Sequence, residues 1–532
     1  MKASRPLLLA AVIVASTLLL PRPARATPHS FDLVVPVQLL WGGDQEGGGP
    51  YVYPADDDPS RVVGFEVELA GKLAAKLGLE ATFFQGQWDK MPELLRTRKC
   101  DIVLNGYEWM PARLETMEAS IPYYVYGLQL LSRSDGDIGS WEDLDRPGPR
   151  GPRRVGVLGG SAAEKYVNAR WGKGVEIAAY DGSTDAMREV ETHKLDATVQ
   201  DTPAAVFYQS RFPALRAVGS PVARGYYVIY ARKGDLALVR ALNEALAELI
   251  ERGELEAIYR AYGIWDDAQR ELSDIARAGK FYGQVAPPPE PARAAHRIEA
   301  PPSVAARTVA PSARKHGIDA IVAYGPILIQ SAGLTIVLSC LSFPLAVIGG
   351  LFVALGRLYG PAWIKAPLAV YVEFLRGTPV MLQLYFIFFF LPEVGITVPA
   401  FWTAILGLAL NYSAYESEIY RAGLLAVPRG QMEAALSLGM SRTLALRRII
   451  VPQAMRIVVP PAVNDFIALF KDTSVCSVVT LVELTKRFSV LSQSTQSTAE
   501  LMLITALLYL LMSYPLSLLS RRLESKLAPV AA

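Results

Sequence analysis

Two groups of residues in this 532-residue chain place polar chemistry where the surrounding sequence is least suited to it. In a strongly apolar run, Asn464 and Asp465 recur seven residues on as Lys471 and Asp472, a spacing that returns them to one helical face. Ionisable groups inside apolar helices are costly, so that face either lines a polar path or subunit seam or neutralises itself at a membrane edge. Upstream, Glu433-Ala-Ala-Leu-Ser-Leu-Gly439 spells a short helix of good helix formers stopped by glycine. Arg421, Arg429, Arg442, Arg447, Arg448 and Arg456 surround it. Ser441 predicts the N-cap of the next helix, and Pro452 predicts its end. A short helix on a basic loop between apolar stretches suits docking against a cytoplasmic partner; the competing reading is a plain amphipathic connector. No Gly-x-x-x-x-Gly-Lys-Ser/Thr loop occurs, so any nucleotide hydrolysis belongs to a separate subunit and the chain is expected not to be an enzyme. Cys100, Cys340 and Cys476 are an odd count without metal spacing, and neither a metal centre nor any other cofactor is expected.

The elements that must hold these residues divide the chain in two. Net charge is only +2, and the composition fits neither a nucleic-acid binder nor an ordinary soluble enzyme. Residues 1–26 combine Lys2 and Arg5, an apolar run and Ala24-Arg-Ala26, the layout of a cleavable secretory signal; an uncleaved anchor is the alternative. Residues 27–267 alternate strand-like and helix-like periods and predict an exported α/β domain. Its strands are read at 100–104, 154–158 and 195–199. One helix is expected to run to Leu77 before Gly78, and another from Leu236 to Tyr262. Residues 268–318 lose periodicity and are rich in proline and alanine, as in an extended tether. Residues 319–532 predict an all-α membrane part of five spans, at about 321–356, 367–391, 400–420, 457–480 and 501–519. Lysine and arginine cluster after the first span, in the Glu433 loop and at the C-terminal end, which puts those in the cytoplasm and the first domain outside a bacterial inner membrane. Lys486 and Arg487, on an expected outer loop, run against that pattern.

Longer motifs add a resemblance. Glu418-Ile-Tyr-Arg-Ala-Gly423, Val427-Pro-Arg-Gly-Gln431, Glu433-Ala-Ala, Ser437-Leu-Gly-Met440 and Ile450-Val-Pro-Gln-Ala454 follow in order. Together they closely resemble the EAA loop of ABC-importer permeases, in the branch that carries polar amino acids. The resemblance implies that Glu433, Ala434, Ala435 and Gly439 hold coupling positions against a separate cytoplasmic ATPase dimer, and that permeases of this kind work in pairs, here as a homodimer. Glu373 and Arg376, in Glu373-Phe-Leu-Arg-Gly-Thr-Pro379, resemble another hallmark of that family and join Asn464 and Asp465 as translocation-path candidates.

The exported domain resembles the family-3 periplasmic binding proteins for polar amino acids, two-lobed α/β clamps of type II. The motifs are Gly64-Phe-Glu-Val-Glu-Leu69, Trp88-Asp-Lys-Met-Pro-Glu-Leu-Leu95, Pro111-Ala-Arg113, Gly159-Gly-Ser161 and Gln200-Asp201. An amino acid presents a carboxylate, which suits a guanidinium fork, and an ammonium, which needs an anionic acceptor. The resemblance implies Arg113 for the first and Asp201 for the second, with backbone amides around Ser161 and Ala162 as further donors. Tyr51 and Trp88 fall where that family puts aromatics against the ligand, with core packing as the rival reading. In Asn105-Gly106-Tyr-Glu108-Trp-Met110, the chain has Glu108 and Met110 where the family often has Ser and Thr. Glu108 is expected to meet an ammonium or a basic side chain and to repel an acidic ligand. The whole reads as the binding and translocating subunit of an ATP-driven amino-acid importer. A ligand-gated channel, a membrane-anchored receptor and a secondary transporter are the alternatives.

Overall fold

A computed structural model describes residues 31–46, 48–278, 315–495 and 497–527. The expected signal segment and most of the proline-rich tether lie outside the described residues.

The first part is built on one eight-stranded mixed sheet. Its strands are β1 (Gln38–Gly43), β2 (Glu80–Gln85), β3 (Ile102–Val103), β4 (Met117–Arg133), β5 (Arg153–Leu158), β6 (Val175–Tyr180), β7 (Ala197–Asp201) and β8 (Leu215–Arg232). In the order β2-β1-β3-β8-β4-β7-β5-β6, the first three are mutually parallel and the last three are mutually parallel. Between the two sets lie the long antiparallel strands β4 and β8, of 17 and 18 residues, whose register slips repeatedly between Val218 and Tyr230. Two parallel β/α lobes joined by a pair of shared, irregular strands make a clamp, as the type II reading expects.

Helix α1 (Phe65–Leu77) starts with Glu66 and Glu68 in its first turn and ends on Gly78 at φ +70°, where the expected stop fell. Its Phe65 is fully buried against Tyr124 and Tyr259, and a burial of that kind contributes roughly 1.5–3 kcal/mol. The second lobe carries α2 (Ala162–Trp171), α3 (Ser183–Glu191) and α4 (Thr202–Tyr208). The helix expected over 236–262 is two, α5 (Leu236–Glu251) and α6 (Glu254–Ala261), because Gly253 at φ +69° breaks the run. The fold also continues past residue 267. Helix α7 (Glu271–Ala278) packs on β4, and buried Gln269 exchanges hydrogen bonds with the Val125 backbone, 2.9 and 2.7 Å.

The membrane part is helical: α8 (Ile318–Tyr359), α9 (Ala362–Gly377), α10 (Val380–Tyr385), α11 (Ala400–Ala426), α12 (Arg429–Ser437), α13 (Val451–Asp472), α14 (Leu484–Thr495) and α15 (Thr498–Leu527). Among the described residues, α8 and α15 are each long and apolar enough to cross a membrane. The segment from α9 to Val394 would be a third if counted as one span, although it bends by 110°. The bend falls at Thr378-Pro379, where proline pushes the preceding residue out of helical geometry. The other two expected spans correspond to α11 and α13, which carry more polarity. In the bundle, Asn411 Nδ2 donates to Gln383 Oε1 at 3.1 Å, and Gln383 Nε2 donates to the Leu375 carbonyl at 2.9 Å.

Two expectations are corrected here. Pro452 does not end the helix begun after Ser441. A wider π turn at Leu446–Ile450 shifts the hydrogen-bond pattern, and Pro452 sits in the first turn of α13. Helix α13 therefore starts six residues before the expected 457 and gives way after Asp472 to a 3₁₀ stretch, Thr473–Val479. The basic pair at 486–487 also finds its reason. Lys486 is buried and its ammonium lies 2.6 Å from Glu46 of the clamp, while Arg487 donates to Ser331 Oγ at 3.4 Å. Clamp and bundle meet again where Gln493 donates to Asp185 (3.1 Å), Arg188 donates to the Ser492 carbonyl (3.3 Å), and Lys99 donates to the Val398 carbonyl (3.0 Å).

Candidate functional site

Between the lobes lies a cavity lined from both sides. Tyr51, Trp88, Gly106 and Glu108 come from the first lobe, and Ser161 and Asp201 from the second. Six of the seven ligand-site candidates therefore share one cavity. Arg113, the seventh, does not line it.

Each position follows from local structure. Gly106 sits just beyond β3 at φ +58°, and its N–H donates to Glu66 Oε1 at 2.7 Å; a Cβ there would lie 2.9 Å from the Tyr51 ring. Glu66 is fully buried, accepts also from Tyr123 Oη at 2.5 Å, and burial pushes its carboxyl up to about 7. Trp88 is fixed by its Nε1 donating to the Asn105 carbonyl and its backbone N–H to Asp44 Oδ2, both at 3.0 Å. Tyr51 Oη lies 2.9 Å from Tyr227 Oη. Both aromatics are nine-tenths buried, so they belong to the core and to the cavity wall at once.

In the second lobe Ser161 caps α2, accepting from the Glu164 N–H at 3.3 Å. Asp201 ends β7, and its Oδ2 accepts a short hydrogen bond from Tyr227 Oη. Burial, and then the charge of Glu108, raise the Asp201 carboxyl to about 8 against the lowering effect of that bond. Tyr227 stacks on Tyr126 with ring centroids 4.6 Å apart. No motif marked it, since one tyrosine in the aromatic run of β8 reads as core.

The Glu108 carboxylate is engaged twice by the protein itself. Oε2 lies 2.9 Å from Arg113 Nη1, and Oε1 accepts from the Ala162 N–H at 2.8 Å. Arg113 Nη1 also donates to the Glu108 carbonyl at 2.6 Å, and the guanidinium lies over the Tyr107 ring, 4.0 Å from its centroid. The 3₁₀ turn at Pro111–Glu115 brings Arg113 back onto a side chain five residues earlier.

In the helical part, α12 carries Glu433, Ala434 and Ala435, and Gly439 at φ +81° turns the chain out of it, with the Met440 N–H donating to the Ala435 carbonyl at 3.1 Å. Ala435 packs inward while Leu438 stands 83% exposed. Ser441 Oγ caps the following turn as expected, accepting from the Leu444 N–H at 3.3 Å. Glu373 and Arg376 lie exposed on α9, and Asn464 and Asp465 lie on α13. Asn464 accepts from Ser520 Oγ at 3.1 Å, and Asp472, one heptad on from Asp465, accepts from Tyr412 Oη at 2.7 Å. Glu416, fully buried on α11, is an ionisable residue that the motif reading passed over.

Residues 43–264 match the bacterial extracellular solute-binding proteins, family 3, and residues 346–529 match the binding-protein-dependent transport system inner membrane component. The L-cystine transport system permease protein TcyB of Bacillus subtilis (strain 168) is 36% identical over 205 residues, which is 38% of this chain and 88% of that protein. The probable glutamine ABC transporter permease protein GlnP of the same organism is 44% identical over 160 residues, 30% of this chain and 73% of that protein. A solved structure of an amino acid ABC transporter with histidines is 36% identical, covers 39% of this chain and 97% of its own, and superposes with a TM-score of 0.37.

Proposed function

The chain belongs to the inner-membrane permeases of binding-protein-dependent amino-acid transport systems, and from that premise we propose how its two parts work together. It is the substrate-binding and membrane-spanning component of an ABC importer for amino acids. The clamp closes on its ligand outside the inner membrane and hands it to the helical bundle. Two copies of the chain form the pathway. A separate cytoplasmic ATPase pair drives it through Glu433, Ala434, Ala435 and Gly439, shifting the population between outward- and inward-facing states.

One observation carries this arrangement. Helix α11 begins two residues after Val398, whose carbonyl touches the clamp, and ends three residues before α12. Its 27 residues separate those points by about 40 Å at 1.5 Å per residue, roughly the depth of a bilayer with its headgroups. That length supports placing the clamp and the proposed coupling helix at opposite membrane faces. A gated channel built within the clamp is not favoured, because β4 and β8 join the lobes directly and the membrane helices follow the clamp in the chain.

The test is uptake and ATP hydrolysis in proteoliposomes holding the full chain and its ATPase. Glu433→Ala is expected to leave ligand binding within twofold while abolishing stimulation of hydrolysis by loaded clamp. Undiminished stimulation would remove α12 from the coupling role.

A further inference from the structure

The cleft contains a ready-made cradle for a carboxylate, and a carboxylate already lies in it. A guanidinium and the first free N–H of a helix converge on one point, a combination suited to a small anion. Glu108 holds both, through Arg113 Nη1 at 2.9 Å and the Ala162 N–H at 2.8 Å. The side chain is 1% exposed and Arg113 is folded behind it, out of the cavity. Glu108 comes from the first lobe and Ala162 from the second, so its carboxylate spans the cleft as a bound ligand's would. A short β-bridge between Glu108 and Tyr227 and the hydrogen bond from Tyr230 Oη to the Glu108 carbonyl, 3.1 Å, fix the backbone behind it.

The rest of the cavity suits the opposite charge. Its lining holds two acidic residues, Glu108 and Asp201, and no lysine or arginine. Tyr51 and Trp88 offer ring faces, which attract cations, and Asn105, Ser183 and Gln200 add neutral polar groups. Arg113 behind the wall already balances Glu108, and the Asp201 carboxyl is the group left over for a cationic ligand. A zwitterionic amino acid would bring a second carboxylate to a cradle already filled and beside two acids.

We infer that this clamp selects a cationic amine whose carboxyl is amidated, esterified or missing, with the Glu108 side chain standing in for the carboxylate. The inference rests on the importer reading and narrows it to carboxyl-blocked or decarboxylated derivatives of amino acids. Glu108 thereby becomes a specificity-determining residue: it occupies the anion cradle and repels a ligand that needs it.

The experiment is calorimetric titration of the full-length protein in detergent with matched sets, each an L-amino acid, its α-amide and its decarboxylated amine. Glutamine, leucine, phenylalanine and arginine serve as parents. At least one amide or amine is expected to bind tenfold or more tightly than its parent acid. Glu108→Ser should open the cradle and reverse that preference, the parent gaining tenfold or more. Glu108→Gln, which keeps volume and an acceptor, should weaken the amine without admitting the acid. If the wild type prefers the parent acid in every set, Glu108 swings aside on binding and the inference falls, while the importer reading stands. If a preference for the amide survives Glu108→Ser in a folded protein, another group sets it and the inference also falls. If no member of any set binds or is taken up with the ATPase present, the importer reading falls with it.

Discussion

Phe65, fully buried in the clamp's first helix, and Phe352, 71% exposed towards the C-terminal end of α8, are one side chain serving two solvents. The clamp exposes few large apolar groups; Val35, Val37 and Leu236 are those among its described residues. The bundle exposes them along every long helix, with Ile329, Ile348, Phe352, Val370, Leu503 and Leu511 as examples. Burial against protein organises the first part. In the second, hydrocarbon makes outward-facing leucines and phenylalanines as acceptable as inward ones, and specificity passes to polar pairs such as Gln383 with Asn411. The comparison teaches that exposure has no fixed meaning along this chain.

The largest effect expected from breaking that contrast is on the clamp core. Phe65→Ala should destabilise the clamp by about 3–5 kcal/mol. Differential scanning calorimetry of the detergent-solubilised chain should then show a lowered clamp transition and an unmoved permease transition. A joint fall of both would mean that the two parts unfold as one unit. Next comes the mirror experiment. Val337→Arg, at the middle of α8 and 44% exposed, should cost about 2.5–3.5 kcal/mol at mid-bilayer depth and reduce the fraction of chain resisting carbonate extraction. Leu236→Arg on the clamp surface should stay within about 0.5 kcal/mol. Equal effects would refute the lipid-facing assignment of α8.

The smallest effect is a slope with pH. Glu66 and Asp201 are buried carboxyls whose folded values are raised, to about 7 and about 8. Their contribution to stability is full below the ordinary carboxylate range and is lost as pH rises through those folded values. Between pH 6 and 8 the empty clamp should therefore lose stability by at most about 1.4 kcal/mol per pH unit per group. Asp201→Asn should flatten the decline. An unchanged slope in that variant would assign it elsewhere.

Periodicity and turn chemistry made much of the architecture legible: the stop at Gly78, the cap at Ser441, the lobes' strands and the apolar helices all follow local rules. The residues around the cleft were readable because their motifs are local as well. What was hidden depends on partners distant in sequence or on how a turn aims a side chain. Arg113 looked available until the 3₁₀ turn at Pro111 folded it onto Glu108. Tyr227 is placed by a strand pairing, and Lys486 read as a misplaced charge because Glu46 lies far from it in sequence. Pro452 misled because a π turn absorbs what an ordinary helix could not.

Helix α14 touches both halves of the clamp, Lys486 near one end meeting Glu46 after β1, and Gln493 near the other meeting Asp185 on α3. A rigid rod pinned at both ends to bodies that pivot against each other can keep both pins at only one opening angle. Those twelve residues therefore tie the two sides of the jaw to the bundle at a single spacing.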